Sequence, residues 1–161
     1  MQVEGIALCL GDNVDTDVII AGRYLRTKDR GIWAAKAFED LDPALAARLK
    51  GAFIVAGKNF GCGSSREQAA VALKEAGVAA VSARSFGRIF FRNAINIGLP
   101  VVESDHPGCS DGEPVIAELR LGWIEIGGVR VAARPLTERM SAILEAGGLV
   151  EYLNGKAEQG S

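Results

Sequence analysis

The middle of the chain shows the clearest pattern of hydrophobic and polar positions, because three apolar runs alternate there with two mixed segments. The apolar runs predict strands at residues 52–56, 78–82 and 99–103. The mixed segments predict helices at residues 64–76 and 86–97, with Ser64 and Ser85 as their N-caps and a glycine after each. Strands that are apolar throughout and alternate with helices are typical of a parallel sheet covered by helices. We therefore predict an α/β fold with parallel central strands.

The regions on either side predict shorter elements and antiparallel additions. Before the core, the pattern predicts a strand at residues 5–10, a short buried strand or extended loop at 18–20, and helices at 33–40 and 42–49. After it, the pattern predicts strands at residues 115–119, 122–126 and 129–133, and then a helix at 137–146. Gly127 and Gly128 favour a tight hairpin between the last two strands. Residues 1–161 are therefore predicted to form a single domain, with a polar, frayed tail from about residue 154.

The composition is ordinary for a globular protein, with 48% hydrophobic and 24% charged residues and a formal net charge of -2. This charge gives no reason to expect a nucleic acid or a membrane as partner. The amino-terminal segment does not resemble a signal peptide, and the three dispersed cysteines (Cys9, Cys62 and Cys109) favour a reducing compartment over a disulfide framework. We therefore expect a cytoplasmic protein.

The histidine and cysteine content limits the metal chemistry that this chain can provide. His106 is the only histidine, so a multi-histidine metal site is impossible, and we predict that it is exposed in a loop. The cysteines are not arranged in a motif that binds an iron–sulfur cluster. If the activity needs a metal, we expect another chain to supply it.

The segment FGCGSSREQ, at residues 60–68, follows the first central strand and carries the strongest candidate chemistry. Its S-x-x-E pattern, from Ser64 to Glu67, predicts a capping box that only begins a helix. The same geometry also suits an anion, because a glycine-rich loop brings free backbone N–H groups to a helix N-terminus at the carboxyl ends of parallel strands. Arg66 lies where a cation opposes the helix dipole. We interpret it as a partner for a carboxylate or a phosphate.

Four stretches resemble the aconitase superfamily, in order and at similar spacing over nearly the whole chain. They are GDNVDTDVIIAGRYL at residues 11–25, NFGCGSSRE at 59–67, SFGRIFFRNAINIGLPVV at 85–102 and EAGGLVEYL at 145–153. The chain looks most like the small subunits of isopropylmalate dehydratase and homoaconitase. The resemblance implies the superfamily's swivelling β/β/α domain, and the predicted α/β core is consistent with it.

The resemblance also implies roles for the loop residues and for a partner. Ser64 matches the family's general base, which removes or returns the proton on the substrate carbon. Ser65 and Arg66 match residues that hold substrate carboxylates, and Gly63 lets the backbone approach. A separate large subunit would carry a [4Fe–4S] cluster that helps the substrate hydroxyl leave as water. We expect a hydro-lyase small subunit, in a heterodimer or heterotetramer, that binds no cofactor itself and is inactive alone.

The substrate stays open between isopropylmalate, homoaconitate and a methylmalate or dimethylmalate type acid. At residues 68–70 the chain lacks the histidine and proline of many bacterial small subunits and looks closer to a shorter, archaeal-type branch. Arg26 lies in the loop that helps to select the substrate in this family, where it would pair with an extra carboxylate or remain a solvated cation. We place isopropylmalate first because it is the commoner assignment. A non-catalytic anion-binding module is the alternative from another functional class.

Overall fold

Seven strands form one mixed sheet in the structure, a computed structural model that describes residues 1–159. The strands are β1 Gln2–Cys9, β2 Ala52–Val55, β3 Ala80–Ala83, β4 Val101–Glu103, β5 Pro114–Glu118, β6 Trp123–Ile126 and β7 Val129–Ala132. Their order across the sheet is β4-β3-β2-β1-β5-β6-β7. Strands β1 to β4 are parallel, and β5 to β7 extend the sheet antiparallel from β1. The predicted α/β fold with antiparallel additions is confirmed.

Residues 1–159 also form six helices and two 3-10 turns, and the last two helices follow β7. The helices are α1 Thr16–Ile19, α2 Arg30–Lys36, α3 Glu67–Glu75, α4 Arg88–Ile97, α5 Glu138–Ala146 and α6 Leu149–Gln159, and the 3-10 turns are Gly22–Tyr24 and Leu45–Arg48. The tail that was predicted to fray from about residue 154 instead continues α6, and residues 160 and 161 lie outside the described part of the chain. No helix within residues 1–159 is long and apolar enough to cross a membrane.

Helix α1 occupies the place where the sequence predicted a strand or an extended loop, so that prediction is wrong. The Asp15 side chain accepts a hydrogen bond from Asp17 N at 2.7 Å and caps the helical turn. Ile19, at the end of this turn, is fully buried. A capped turn therefore buries an apolar side chain that the pattern had assigned to extended backbone.

Small side chains on α3 fit this helix into the same hydrophobic core as the central strands. Strand β2 is buried along its whole length. Ala69, Ala70 and Ala72 on α3 have no exposed surface, and neither does Leu73. These residues and β2 belong to one cluster of buried side chains. The packing places the N-terminus of α3 at the edge of the sheet where the parallel strands end.

The loop after β4 departs from the sequence predictions in two ways. Cys9 and Cys109 form a disulfide, so the expectation of unpaired cysteines is wrong. The two cysteines are 100 residues apart in sequence, so no local pattern predicts the pairing. The pairing depends on the loop lying against β1, where Cys9 N donates to Asp111 Oδ1 at 2.7 Å. His106 is only 4% exposed, although it was predicted to be exposed.

His106 ties this loop to the end of β2. Its Nε2 donates to the Ala56 carbonyl at 3.0 Å, which leaves the neutral tautomer with its lone pair on Nδ1. Nδ1 is buried and has no hydrogen-bond partner among residues 1–159. Burial disfavours the charged ring and lowers the pKa of His106 below its usual value of 6.5. The buried ring is therefore a neutral structural donor.

The lowered pKa of His106 predicts a loss of stability in mild acid. Protonation favours the unfolded chain, so the contribution of His106 to the free energy of unfolding is present above pH 6.5 and is lost as the pH falls toward the lower pKa of the folded protein. Urea unfolding at about pH 7.5 and about pH 5.5 should show this loss. His106→Gln should reduce it, because the amide can replace the Nε2–H donor without titrating. An equal loss in both proteins would contradict the assignment.

Candidate functional site

The loops that follow β1, β2 and β3 lie side by side at the carboxyl ends of these parallel strands. Toward the loop after β1, Gly61 N donates to the Val14 carbonyl at 2.7 Å. Toward the loop after β3, Phe60 N donates to the Ser85 carbonyl at 3.0 Å, and the Phe60 carbonyl accepts from Gly87 N at 2.9 Å. The hydrogen-bonded ladder thus continues beyond the strands and holds the middle loop, residues 56–66, from both sides.

Two asparagines hold the start of this middle loop in a backbone conformation that few non-glycine residues adopt. Asn13 has a φ of 56° and Asn59 a φ of 58°. Their side chains meet, with Asn59 Nδ2 donating to Asn13 Oδ1 at 3.0 Å. Asparagine tolerates this left-handed region better than most residues. Unusual backbone of this kind tends to cluster at functional sites, where neighbouring contacts enforce it.

Ser64 does not cap α3, so the predicted capping box is wrong. The helix begins at Glu67, with Arg66 in the N-cap position. Thr16 holds the preceding chain in an extended loop, because its N donates to the Cys62 carbonyl at 2.9 Å and its Oγ1 donates to the Ser64 carbonyl at 2.7 Å. Two such bonds contribute about 1–3 kcal/mol, as much as an N-cap or more. The Ser64 hydroxyl is left exposed, without a hydrogen-bond partner in residues 1–159.

Ser85, the other predicted N-cap, also does not cap its helix. Helix α4 begins at Arg88 with Gly87 as its N-cap, while Ser85 Oγ accepts a hydrogen bond from Asn59 N at 2.8 Å. In the described part of the chain, the N-cap residues of α3 and α4 make no side-chain capping bond. Both helices therefore present open N-termini, where free N–H groups and the helix dipole favour an anion.

The two open N-termini border one cleft with a volume of about 310 Å³. This volume is at the lower end of the range for small-molecule pockets. The cleft is lined by Thr16, Gly61, Cys62, Gly63, Ser64, Ser65, Arg66, Gly87, Arg88, Ile89, Phe90 and Asn93. Hydroxyl groups, amide groups and two arginines thus surround a space that suits a small anionic molecule.

Arg66 is held in place at this cleft with part of its donor capacity unused. Its side chain is only 19% exposed, and Nη2 lies 2.9 Å from Asp17 Oδ1. Nη1 donates to the Ile20 carbonyl at 3.1 Å. A guanidinium has about five N–H donors, so these two contacts leave about three for a ligand. Because the Asp17 side chain is 54% exposed, the pair contributes little to stability, but it fixes the orientation of the guanidinium.

The structure brings four of the five predicted site residues together. Residues 63–66 line the cleft, with the glycine and both serines exposed. Arg26 is exposed on the loop after the 3-10 turn Gly22–Tyr24 and is not among the residues that line the cleft. A Cβ at Gly22 would lie 3.5 Å from Arg66 Nη2. The segment that carries Arg26 thus borders the site, and its role stays a prediction.

Beyond the four residues assigned from the sequence, eight more line the cleft: Thr16, Gly61, Cys62, Gly87, Arg88, Ile89, Phe90 and Asn93. The sequence favoured a turn at Thr16 and a solvated helix face at Arg88. The sequence position of Arg88 could have predicted its place in the cleft. Like Arg66, it is a cation at the start of a helix, where it opposes the helix dipole. The contact of Thr16 with Ser64 depends on tertiary structure and has no local signal.

The described residues do not provide a metal centre. Within residues 1–159, no group of three or more His, Cys, Asp or Glu side chains is placed to hold a metal ion. Cys62, in the cleft, is the free cysteine of this part of the chain. The residues present therefore fit anion binding and proton transfer, and they do not fit an iron–sulfur cluster, which is usually held by four cysteines.

Comparisons with known proteins give a consistent result. Residues 20–106 match the family model of the aconitase C-terminal domain. The chain is 51% identical over 153 residues to the methanogen homoaconitase small subunit of Methanothermobacter thermautotrophicus, covering 93% of this chain and 89% of that one. It is 48% identical over 153 residues to the 3-isopropylmalate dehydratase small subunit of Caldicellulosiruptor bescii, covering 92% of each.

A solved structure agrees with these similarities. The crystal structure of 3-isopropylmalate dehydratase from Methanocaldococcus jannaschii superposes with a TM-score of 0.91 at 43% sequence identity. The match covers 98% of this chain and 96% of that one. The similarity thus extends over nearly the whole chain.

Gly63→Ala tests the geometry of the middle loop. Gly63 has a φ of 89°, and a Cβ there would come within 2.3 Å of the Asp15 carboxylate. We expect the free energy of unfolding to fall by about 1–3 kcal/mol, measured by urea denaturation. Gly11→Ala is the matched control, because a Cβ there meets nothing within 4 Å, and it should change stability by less than about 0.5 kcal/mol. Equal stability of the two variants would show that the loop is not constrained in this way.

Proposed function

This chain belongs to the aconitase C-terminal domain family, among the small subunits of 3-isopropylmalate dehydratase and homoaconitase, and on that premise we propose how it works. It is the small subunit of a hydro-lyase, 3-isopropylmalate dehydratase, which interconverts 2- and 3-isopropylmalate by dehydration and rehydration in leucine biosynthesis. Its residues bind the substrate carboxylates and move one proton. A large subunit completes the active site.

The exposed Ser64 hydroxyl between two open helix N-termini is the observation that carries this proposal. A serine hydroxyl is normally too weak a base to remove a proton from carbon. Converging N–H donors and helix dipoles favour the charged form of an oxygen acid. Ser64 lines the cleft at which α3 and α4 both begin, which supports such a role. We assign Ser64 as the general base that takes the substrate proton in dehydration and returns it in hydration.

The remaining cleft residues hold and orient the substrate carboxylates. Arg66 offers the N–H donors that Asp17 and Ile20 leave unused, in the planar arrangement that suits a carboxylate. Ser65 and the exposed backbone at Gly63 add donors beside it. Holding a carboxylate at this point brings the neighbouring carbon near Ser64, and such positioning can supply a large part of the rate enhancement.

We propose that the iron–sulfur cluster used in this family lies in the large subunit. The described residues of this chain do not fit a cluster, since Cys62 is the free cysteine among them. When bound in the partner, the cluster would supply the Lewis acid that activates the substrate hydroxyl. The exposed cleft would then be closed by that partner, in a heterodimer or a heterotetramer.

We propose the cytoplasm as the location of this reaction. Leucine biosynthesis uses small, charged acids that do not cross membranes freely. The Cys9–Cys109 disulfide is the observation against this location, because disulfides are rare in a reducing cytosol. Peptide mapping of protein trapped with an alkylating agent in intact cells would decide whether these cysteines are paired there.

Homoaconitate is the second candidate substrate, and Arg26 is the observation that favours it. The homoaconitase relative and the isopropylmalate dehydratase relative are similarly close, at 51% and 48% identity. Ile89, which is 51% exposed and lines the cleft, favours an apolar substituent such as isopropyl. Arg26, in the segment that borders the site, would favour a carboxylate instead. The isopropylmalate assignment depends on Ile89 lying closer to the substituent than Arg26.

Ser64→Ala tests the assignment of the base. In the complex with the large subunit we expect turnover to fall by about 10²–10⁴-fold, because general base catalysis supplies a factor of this size. The affinity between the subunits should not change. Ser110→Ala, at an exposed serine outside the cleft, is the control and should retain full activity. Full activity of Ser64→Ala would remove Ser64 from the mechanism, and phosphate binding without any turnover by the wild-type complex would favour the non-catalytic module.

Arg26→Val tests the choice of substrate. If Arg26 pairs with an extra carboxylate, the variant should shift the ratio of kcat/KM toward isopropylmalate and away from homoaconitate by about 10- to 100-fold, since a charge-assisted hydrogen bond contributes about 1.5–3 kcal/mol. Steady-state assays of the reconstituted complex on both acids measure this ratio. Lys28→Val, an exposed cation in the same loop, is the control. An unchanged ratio would leave Arg26 as a solvated loop residue.

A further inference from the structure

A second depression lies beside the cleft, between α4 and the start of α5. Its volume is about 480 Å³. Its floor is apolar and its rim is basic. Phe86, Phe91 and Met140 line the floor, and Arg88, Arg92 and Arg134 line the rim. We refer to this feature as the α4–α5 groove.

The floor of the α4–α5 groove is an incompletely covered edge of the hydrophobic core. Phe86 and Phe91 pack edge to face with ring centroids 5.6 Å apart, and Phe86 stacks on the buried Phe90 at 6.3 Å. Phe86, Phe91 and Met140 are all only partly buried against the core. Covering aromatic surface of this kind contributes about 25 cal/mol per Å², so the groove favours an apolar occupant.

The rim of the groove has an excess of positive charge. Arg134 is paired with Glu103 at 3.0 Å. Arg88 and Arg92 have no acidic partner among residues 1–159. They are four residues apart on α4, where like charges repel, and no acidic residue occupies the first turn of this helix. The isolated chain thus carries an electrostatic cost that an acidic side chain from elsewhere would offset.

The groove is continuous with the cleft. Arg88 lines both, and Ile89, which is 51% exposed, lies on the cleft side of the same helical turn. Under the proposed function, a partner that holds the cluster must cover the cleft. That partner would extend over the adjacent turn of α4 and reach the groove.

From these observations, and resting on the proposed function, we propose that the α4–α5 groove is a docking site for the large subunit. It receives a segment in which an aromatic or branched aliphatic side chain is flanked by at least one carboxylate. The apolar side chain covers Phe86 and Phe91, and the carboxylate pairs with Arg92. The groove thereby aligns the two subunits, and the cleft handles the chemistry.

Arg92→Glu tests the docking site, because Arg92 lines the groove and does not line the cleft. Isothermal titration of the variant with the cluster-bearing large subunit from the same genome should give a Kd at least about tenfold weaker than wild type. Lys50→Glu makes a similar charge change at an exposed residue just before the amino-terminal end of β2, outside both the groove and the cleft, and should leave the Kd unchanged. Circular dichroism and thermal unfolding establish that both variants are folded.

Photocrosslinking provides a second readout that does not require a destabilising substitution. A photoreactive residue in place of Arg134, whose side chain is 80% exposed, should crosslink to an acidic and apolar segment of the large subunit. The same residue at position 50 should not. A Kd for Arg92→Glu within about twofold of wild type, or crosslinks from position 134 only to a second copy of this chain, would overturn the proposal.

The outcomes also separate the docking site from the proposed function. Ser64→Ala should bind the large subunit with wild-type affinity and fail in turnover, whereas Arg92→Glu should bind weakly and regain turnover when the large subunit is in excess. If the wild-type complex forms but converts neither acid, the proposed function fails, and the docking site is still decided by the Kd of Arg92→Glu.

Discussion

The ladder of hydrogen bonds between the loops that follow β1, β2 and β3 is the interaction on which the site depends. It extends the pairing of the parallel strands beyond their ends, through contacts such as Gly61 with Val14 and Phe60 with Ser85. Because the middle loop is held on both sides, it stays extended past residue 64. A loop with only local contacts would be free to form the capping box that its sequence encodes. The ladder therefore keeps the Ser64 hydroxyl away from the helix backbone and leaves it in the cleft.

The site places positive charge at two open helix N-termini, which is electrostatically unfavourable. A helix is usually stabilised by acidic residues in its first turn, yet Arg66 stands at the start of α3 and Arg88 at the start of α4. Asp17 offsets the first charge within the chain. The second has no such partner in the described residues. A cation in this position costs a few tenths of a kcal/mol, which is tolerated where the charge meets a ligand or a partner. Under the two proposals, the start of α4 meets both the substrate and the large subunit.

The loop after β4 contacts the ends of β2 and β1 next to the site. His106 donates to the Ala56 carbonyl at the base of the middle loop, and its own carbonyl accepts from Arg84 at 3.1 Å. The Cys9–Cys109 disulfide holds the same loop against β1. The hydrogen bond from His106 thus fixes the base of the middle loop. Because burial keeps the imidazole neutral, this hydrogen bond does not require a charged ring.

The sequence by itself determined the α/β fold, the parallel central strands and the loop that carries Ser64, because apolar periodicity, glycine stops and the spacing of FGCGSSREQ are local properties of the chain. Tertiary structure decided the rest. The residue types at Ser64 and Ser85 favour capping, but hydrogen bonds from Thr16 and Asn59, each more than 20 residues away, compete with the caps and prevail. The burial of His106 and the pairing of Cys9 with Cys109 likewise depend on contacts across the fold. A local pattern records what each residue prefers on its own, and only the folded chain determines which of several comparable hydrogen bonds is made.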